Sequence, residues 1–333
     1  MQTATSPDAP HSVRQVEIGP ERDGQRIDNA LVTLLKGVPK SMIYRLLRTG
    51  QVRVNGKRAK PDTRLAAGDT LRIPPVRMAE REPAKGPAAG LVSAVVEAIL
   101  FEDKHFLAID KPAGIASHGG SGISHGAIEL LRAARPNEHL ELVHRLDRDT
   151  SGVLVFAKTR AGLTGLQAAI REGQVTKQYL CLMVGHPRKA KFSVNAALQK
   201  SVLQGGERMV RVSEGGKPSL TFFQEMEQYP GARLMQATLG TGRTHQIRVH
   251  AAHIGHPLAG DPKYGDKDMN KAFKELGLDR LFLHASHMGF ELDGRSYGFS
   301  APLPDDLKQF LDVLAVKGNR IRRLQEKART HLE

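Results

Sequence analysis

The chain has 333 residues, 40% of them apolar and 25% charged, which supplies a buried core for two domains and excludes a disordered chain. Its formal net charge of +14 points to an anionic partner, nucleic acid before membrane. One cysteine, Cys181, excludes a disulfide framework and a thiolate metal site; with no apolar leader and no apolar run of membrane-spanning length, a cytoplasmic setting is expected.

In chain order, residues 1–20 are polar and Pro-containing and are predicted to be a flexible tail. Ile27, Leu31, Leu34 and Leu35 recur at helical spacing until Gly37. A second helix is predicted from Pro39 to Gly50, with an apolar stripe of Met42, Ile43, Leu46 and Leu47, so that Lys40, Arg45 and Arg48 face water. Val52 to Val54, an Asn55-Gly56 turn and a later extended piece over 70–73 complete a small module, 21–75. Residues 21–60 hold ten Lys or Arg against three Asp or Glu, a concentration suited to phosphate backbone.

A Pro-rich stretch reads as a linker over 76–93. The larger domain, 94–316, opens with a hairpin of 99–102 and 106–110, and further strands are predicted at 152–158, 178–184, 220–225 and 234–238. Helices are predicted at 126–135, 161–172, 244–254 and 305–316. Frequent hairpins predict an α+β domain built on a mainly antiparallel mixed sheet, preceded by the small α/β module. The tail 317–333 carries six Lys or Arg against one Glu over 317–329, fitting either an RNA-touching helix or a solvated face.

The most informative segment is HRLDRDTSG, 144–152, which sets Asp147 among His144, Arg145 and Arg148 before a Thr-Ser-Gly turn. Positive neighbours favour the carboxylate form, which suits a nucleophile or a base, although turn capping would also account for such an acid. Asp147, Asp149, Ser151 and Gly152 match the start of a calcium loop, but Lys158 stands where its bidentate Glu belongs. His245, His250 and His253 lack zinc-site spacing, so no metal is expected. HGGSG at 118–122 and LGTGR from 239 lack the rest of any nucleotide-binding signature, so no cofactor is expected. GRTHQIRVH, 242–250, places Arg243 and Arg248 at a predicted helix start, where one could pair with Asp147 and the other meet phosphate. Tyr179 of KQYL falls in a predicted strand, where an aromatic ring is ordinarily core.

Two resemblances draw these segments together. RIDNAL, PKSMIYRLLRTGQVRVNG and GDTLRIP resemble the S4 RNA-binding domain, which implies RNA contacts at Ser41, Arg45, Arg48, Lys57 and Arg58. HRLDRDTSG, KQY, GRTHQIRVH and LFLHA (281–285), with IDKPAG, HGGSG and GERMVRVSEGGKPS, resemble the RluA family of pseudouridine synthases. That resemblance implies isomerisation of uridine in RNA without a cofactor, with 23S ribosomal RNA or an assembling large subunit as partner and a monomeric enzyme. It implies Asp147 as catalytic carboxylate, Arg248 as its ion-pair partner, and Tyr179 as the aromatic that stacks on uracil or serves as a base. Arg145 is implied as a wedge filling the space of the flipped nucleotide, Leu281 or Leu283 as the apolar floor, and His144, Arg243 and His245 as further substrate contacts.

Overall fold

A computed structural model describes residues 13–35, 37–76, 86–120, 124–202, 208–319 and 321. It divides into two units, Met1–Gly86 and Pro87–Glu333. In the first, helices α1 (Ile27–Leu34) and α2 (Lys40–Arg48) cover a sheet formed by β1 (Arg14–Glu17), β2 (Arg53–Val54), β3 (Lys57–Arg58) and β4 (Thr70–Ile73), in the order β1-β4-β2-β3. Ile27, Leu31, Ile43, Leu46, Leu47, Val52 and Leu71 form its core. The turn between β2 and β3 has Asn55 and Gly56 both at positive φ, as an Asn-Gly hairpin requires.

Of the tail expected over 1–20, residues 1–12 lie outside the described residues and the part from 14 is ordered. Arg14–Glu17 pair antiparallel with β4, and Ile18 is buried in the core, so apolar burial overrides the polar look of the segment. Ser41, Arg45, Arg48, Lys57 and Arg58 are all exposed, on α2 and β3. Arg58 reaches back to the carbonyl of Thr49 at the end of α2, which brings the two cationic segments together.

In the second unit, α3 (Ala89–Glu97) precedes β5 (Ile99–Glu102) and β6 (Phe106–Lys111), followed by α4 (Ala127–Ala134), β7 (Glu141–Leu142), β8 (Ser151–Ala157), α5 (Arg160–Arg171) and β9 (Thr176–Val184). Then come β10 (Lys191–Asn195), β11 (Leu198–Val202), β12 (Arg208–Val212), β13 (Leu220–Tyr229), β14 (Ala232–Leu239), α6 (Gln246–His253), α7 (Lys267–Glu275), β15 (Leu283–Leu292), β16 (Arg295–Ser300) and α8 (Asp305–Lys317). The main sheet runs β10-β13-β14-β9-β15-β8-β6-β5, with β16 on β15 and β7 on β8; β11 and β12 form a separate hairpin. Its pairings are antiparallel except β15 with β8. The expected α+β class with a mainly antiparallel sheet is what the chain forms.

Alternation along each strand sends side chains to two packed faces. In β9, Tyr179, Cys181 and Met183 face a core shared with α3, α4 and α6. Leu182 and Val184 face the opposite core, built with α7 and α8. A third cluster joins α5 to Phe106, Val153, Val155, Phe290 and Tyr297. The predicted linker over 76–93 overlaps α3, whose Val95 is fully buried, so the helix begins inside the Pro-rich stretch; residues 77–85 lie outside the described residues. Helix α8 ends at Lys317, Ile321 is buried in the core, and the rest of the expected basic tail from 322 lies outside the described residues.

A buried polar chain fixes β8 against β15. The proton of His284 sits on Nε2, 3.1 Å from the carbonyl of Ala301, so Nδ1 accepts from Ser151 Oγ at 3.0 Å. Ser151 Oγ in turn accepts from Arg280, which is paired with Asp306. Burial pushes the His284 imidazole down to about 4. The unfolded chain takes up this proton near pH 6.5, whereas the folded chain resists until about 4, so acidification between those values favours unfolding. The expected cost is about 3 kcal/mol by pH 4. Urea midpoints measured across that range should fall less steeply for His284→Gln than for the natural chain; parallel curves would remove His284 as the acid-labile group.

Candidate active site

Asp147 sits in the loop between β7 and β8, and three backbone anchors fix it there. Ser117 Oγ donates to the Leu146 carbonyl at 2.8 Å and accepts from the Leu146 N–H at 2.9 Å. Lys111, at the end of β6 and fully buried, donates to the carbonyls of Pro112, Ile115 and Arg148 at 2.8, 2.7 and 3.2 Å. Burial lowers the Lys111 amine to about 7, against the pull of Asp149 and Asp147. Thr150 N–H closes the turn on the Asp147 carbonyl at 3.2 Å. Gly152 has φ 108°, and an added β-carbon would collide with the Ala285 backbone, so glycine alone lets β8 run this close beside β15.

The groups that meet Asp147 come from far along the chain. Arg248 Nη1 donates to Asp147 Oδ2 at 3.1 Å, and His245 Nε2 lies 3.7 Å from the same oxygen. The sequence neighbours point elsewhere: Arg148 pairs with Asp149 at 3.0 Å, and His144 Nε2 accepts from the Val155 N–H at 3.1 Å. Burial, then the Lys177 charge, pushes His144 down to about 3 and keeps its ring neutral. His144 therefore braces β8, and the cationic cage that adjacency suggested around Asp147 is supplied by α6 instead. Both contacts fall on Oδ2, and Oδ1 of Asp147 accepts no hydrogen bond from the described residues.

Arg248 is the third residue of α6, 4% exposed, and is clamped by Asp261, itself 1% exposed. Nε and Nη2 donate to the two Asp261 oxygens at 2.8 Å each, a fork-to-fork pair that leaves Nη1 for Asp147. Although burial opposes both charges, the mutual bonds hold Arg248 above its usual range and Asp261 below the usual carboxylate range. Asp261 also accepts from the N–H groups of Lys263 and Tyr264.

His245 precedes α6 in the left-handed region, φ 54° and ψ 19°, a strained setting for a residue with a β-carbon. That conformation turns its ring between Asp147 and Tyr264. Tyr264 O–H lies 2.8 Å from His245 Nδ1 and accepts from the Val210 N–H at 3.0 Å. With the hydroxyl proton donated to Nδ1, the imidazole carries its own proton on Nε2, the nitrogen facing Asp147. Burial lowers the His245 pKa, against the pull of Asp147. The Tyr264 ring also lies under the Arg248 guanidinium, 5.1 Å from its centroid.

The expected helix over 244–254 starts later, at Gln246, so Arg243 lies in the preceding loop and the two arginines do not share a helix face. Gln246 holds that loop: its Oε1 accepts from Thr241 Oγ1 and the Arg243 N–H, and its Nε2 donates to the Leu220 carbonyl and Thr221 Oγ1. His250 is buried between Thr221 and the Ala196 carbonyl, an internal role. Among the described residues no cluster of three or more His, Cys, Asp or Glu could hold a metal.

Tyr179 is 9% exposed and pairs across the sheet with Ala237 and Ala285, small neighbours that leave room beside the ring. Burial, then the Asp147 charge, raises its phenol well above the usual range. Asp147, Tyr179, His245, Arg248, Leu239 and Leu283 line a cleft of about 60 Å³. Arg145, Asp147, Tyr179, Leu239 and Arg243 also line a groove of about 710 Å³. Of the two candidates for an apolar floor, Leu283 lines this cleft, whereas Leu281 is 1% exposed in the core. Arg145 is exposed at the rim. Asp261, Tyr264, Gln246 and the anchoring role of Lys111 were not singled out from sequence, and GDPKYG at 260–265 was the available signal for the first two.

A carboxylate with one free oxygen, clamped by a buried arginine beside an aromatic face and a cationic groove, defines a site for chemistry on a nucleotide. Residues 105–253 match the RNA pseudouridylate synthase family and 25–71 the S4 domain. The ribosomal large subunit pseudouridine synthase C of Escherichia coli O157:H7 is 53% identical over 309 residues, covering 91% of this chain and 97% of the relative. Its namesake in Pasteurella multocida is 50% identical over 307 residues, covering 91% and 94%. Among solved structures, human RNA pseudouridylate synthase domain containing 4 aligns with a TM-score of 0.56 at 27% identity, covering 68% of this chain and 95% of that one. The chain belongs to the RNA pseudouridylate synthase family, with an N-terminal S4 domain, and is an isomerase that converts uridine to pseudouridine in RNA.

Proposed function

We propose that the substrate is 23S ribosomal RNA, free or in an assembling large subunit, and that a monomer modifies specific uridines of it in the cytoplasm. Half-identity to ribosomal large subunit enzymes along nearly their whole length carries this reading. The concentration of exposed cations on α2 and β3 supports it, and Ser41, Arg45, Arg48, Lys57 and Arg58 are the proposed backbone contacts of the S4 domain.

In the proposed mechanism the target uridine leaves its stack, at a cost of a few kcal/mol, and its base lies against Tyr179 with Leu283 beneath. Arg145, at the rim, fills the space it vacates. At about 60 Å³ the cleft is too small for a whole nucleobase, so the base is seated partly in the groove. Asp147 Oδ1 serves either as nucleophile, at C1′ or at uracil C6, or as the base that takes the 2′ proton. By each route the N1 to C1′ bond breaks, the uracil turns, C5 bonds to C1′ and the proton on C5 passes to N1 through the site. Arg248 and His245, both on Oδ2, keep the reacting oxygen aimed. The raised Tyr179 pKa keeps the phenol protonated, which supports stacking over service as a base.

Ribosomal RNA from a strain lacking this gene should lose carbodiimide-dependent primer-extension stops at discrete large-subunit uridines and regain them on complementation. An unchanged large-subunit pattern with stops lost from transfer RNA would move the substrate elsewhere.

A further inference from the structure

Lys177 differs from the buried cations of the catalytic unit. Lys111 is satisfied by three carbonyls and Arg248 by two carboxylates. Lys177 is only partly exposed and its side chain forms no hydrogen bond or ion pair with the described residues. Burial, with no opposing carboxylate, pushes its amine down to about 8. An ammonium partly withdrawn from water, with no protein acceptor among the described residues, is stabilised by a nearby anion, so the position suits one.

The surroundings say where that anion sits. Lys177 and Tyr179 are two residues apart on β9, so both side chains leave the same face of the sheet, roughly 7 Å apart. Both line the groove of about 710 Å³ that contains Asp147. His118, His144, Arg145, Arg171 and Arg243 also line it, and Asp147 is its single carboxylate among the described residues. A base stacked on Tyr179 with its sugar at Asp147 carries the phosphates that flank it toward this cationic wall.

We infer that Lys177 is the binding residue for a backbone phosphate flanking the flipped uridine, and completes the groove as an anion subsite only when RNA is bound. The inference rests on RNA being the substrate. Phosphate stabilises the ammonium, so binding favours the charged amine and weakens as pH rises through about 8. Of the groups facing Lys177, His144 stays neutral down to about 3 and Tyr179 stays protonated, so neither changes charge in that window.

The test uses the full chain acting on an unmodified large-subunit ribosomal RNA transcript, with kcat and KM read from tritium released from uridine labelled at C5. Lys177→Gln is expected to raise KM by roughly ten- to hundredfold, the effect of losing a charge-assisted hydrogen bond, with kcat changed far less. The slope of log kcat/KM against log salt should flatten by about one phosphate contact, roughly 0.7 to 0.9. Lys177→Arg, which keeps its charge, is expected to restore KM at pH 7 and to remove the rise in KM that the natural chain shows from pH 7 to 9. A Lys177→Gln variant with KM and salt slope unchanged, or a Lys177→Arg variant whose KM follows pH as the natural chain does, would overturn the subsite. Failure of the natural chain to release tritium would instead overturn the substrate.

Discussion

Asp147→Asn is expected to bind ribosomal RNA as tightly as the natural chain while isomerisation falls by roughly four orders of magnitude or more. Asparagine keeps the shape of the side chain and an oxygen able to accept from Arg248 Nη1, so the loop held by Ser117 and Lys111 should be undisturbed. What is lost is the anionic Oδ1, a poor nucleophile and base once it belongs to an amide. The proposed RNA contacts lie on Tyr179, Arg145, Lys177, Arg243 and the S4 domain, none of which the substitution alters. Filter binding and single-turnover tritium release, measured on one preparation, separate the two effects. Parallel losses of binding and turnover would place Asp147 among the structural residues.

Asp261→Ala should be nearly as damaging, by another route. It removes both carboxylate oxygens from a guanidinium that is 4% exposed and leaves Arg248 with its single bond to Asp147. Breaking a buried pair from one side costs about 3 to 5 kcal/mol, because the remaining charge is neither solvated nor compensated. Turnover should fall with stability, since Nη1 no longer approaches Oδ2 from a fixed direction. Replacing both partners, Arg248→Met with Asp261→Leu, should recover most of the stability in urea denaturation and none of the activity. Recovered activity in the double variant would show that the pair serves packing alone.

How much of this was legible in the sequence depended on the range of the interactions involved. Asp147 stood out because HRLDRDTSG concentrates unusual residues in one segment, and Tyr179 and Arg248 followed from the same family pattern. Their partners were hidden by distance in the chain. Adjacent Arg148 and His144 looked like the cations of the site, yet Arg148 turns to Asp149 and His144 to the backbone of β8. The fold brings in Arg248, 101 residues away, and sets it with Asp261.

The elements missed have similar causes. Strand β15 is central to the sheet, but His284, Ser286 and His287 interrupt its apolar alternation; the first two are paired by Ser151 and by the Gln178 carbonyl. Helix α7 left signals that could have been read, since Asp266 caps its first N–H groups and Met269, Ala272 and Phe273 form a buried stripe. Strand β1 was obscured by a polar composition whose apolar residues, Val16 and Ile18, alone reach the core. Long periodic helices and Asn-Gly turns were recoverable because their determinants are local.

The most direct test of the central claim, that Asp147 isomerises a uridine in large-subunit ribosomal RNA, is a paired readout on one reaction. Purified full-length chain is incubated with unmodified transcript, and the product is examined by carbodiimide-dependent primer extension and by fragment mass. The expected result is a small set of new stops at fragments of unchanged mass, all absent with Asp147→Asn. Loss of mass with release of free uracil, or the same stops from the Asp147→Asn chain, would contradict it.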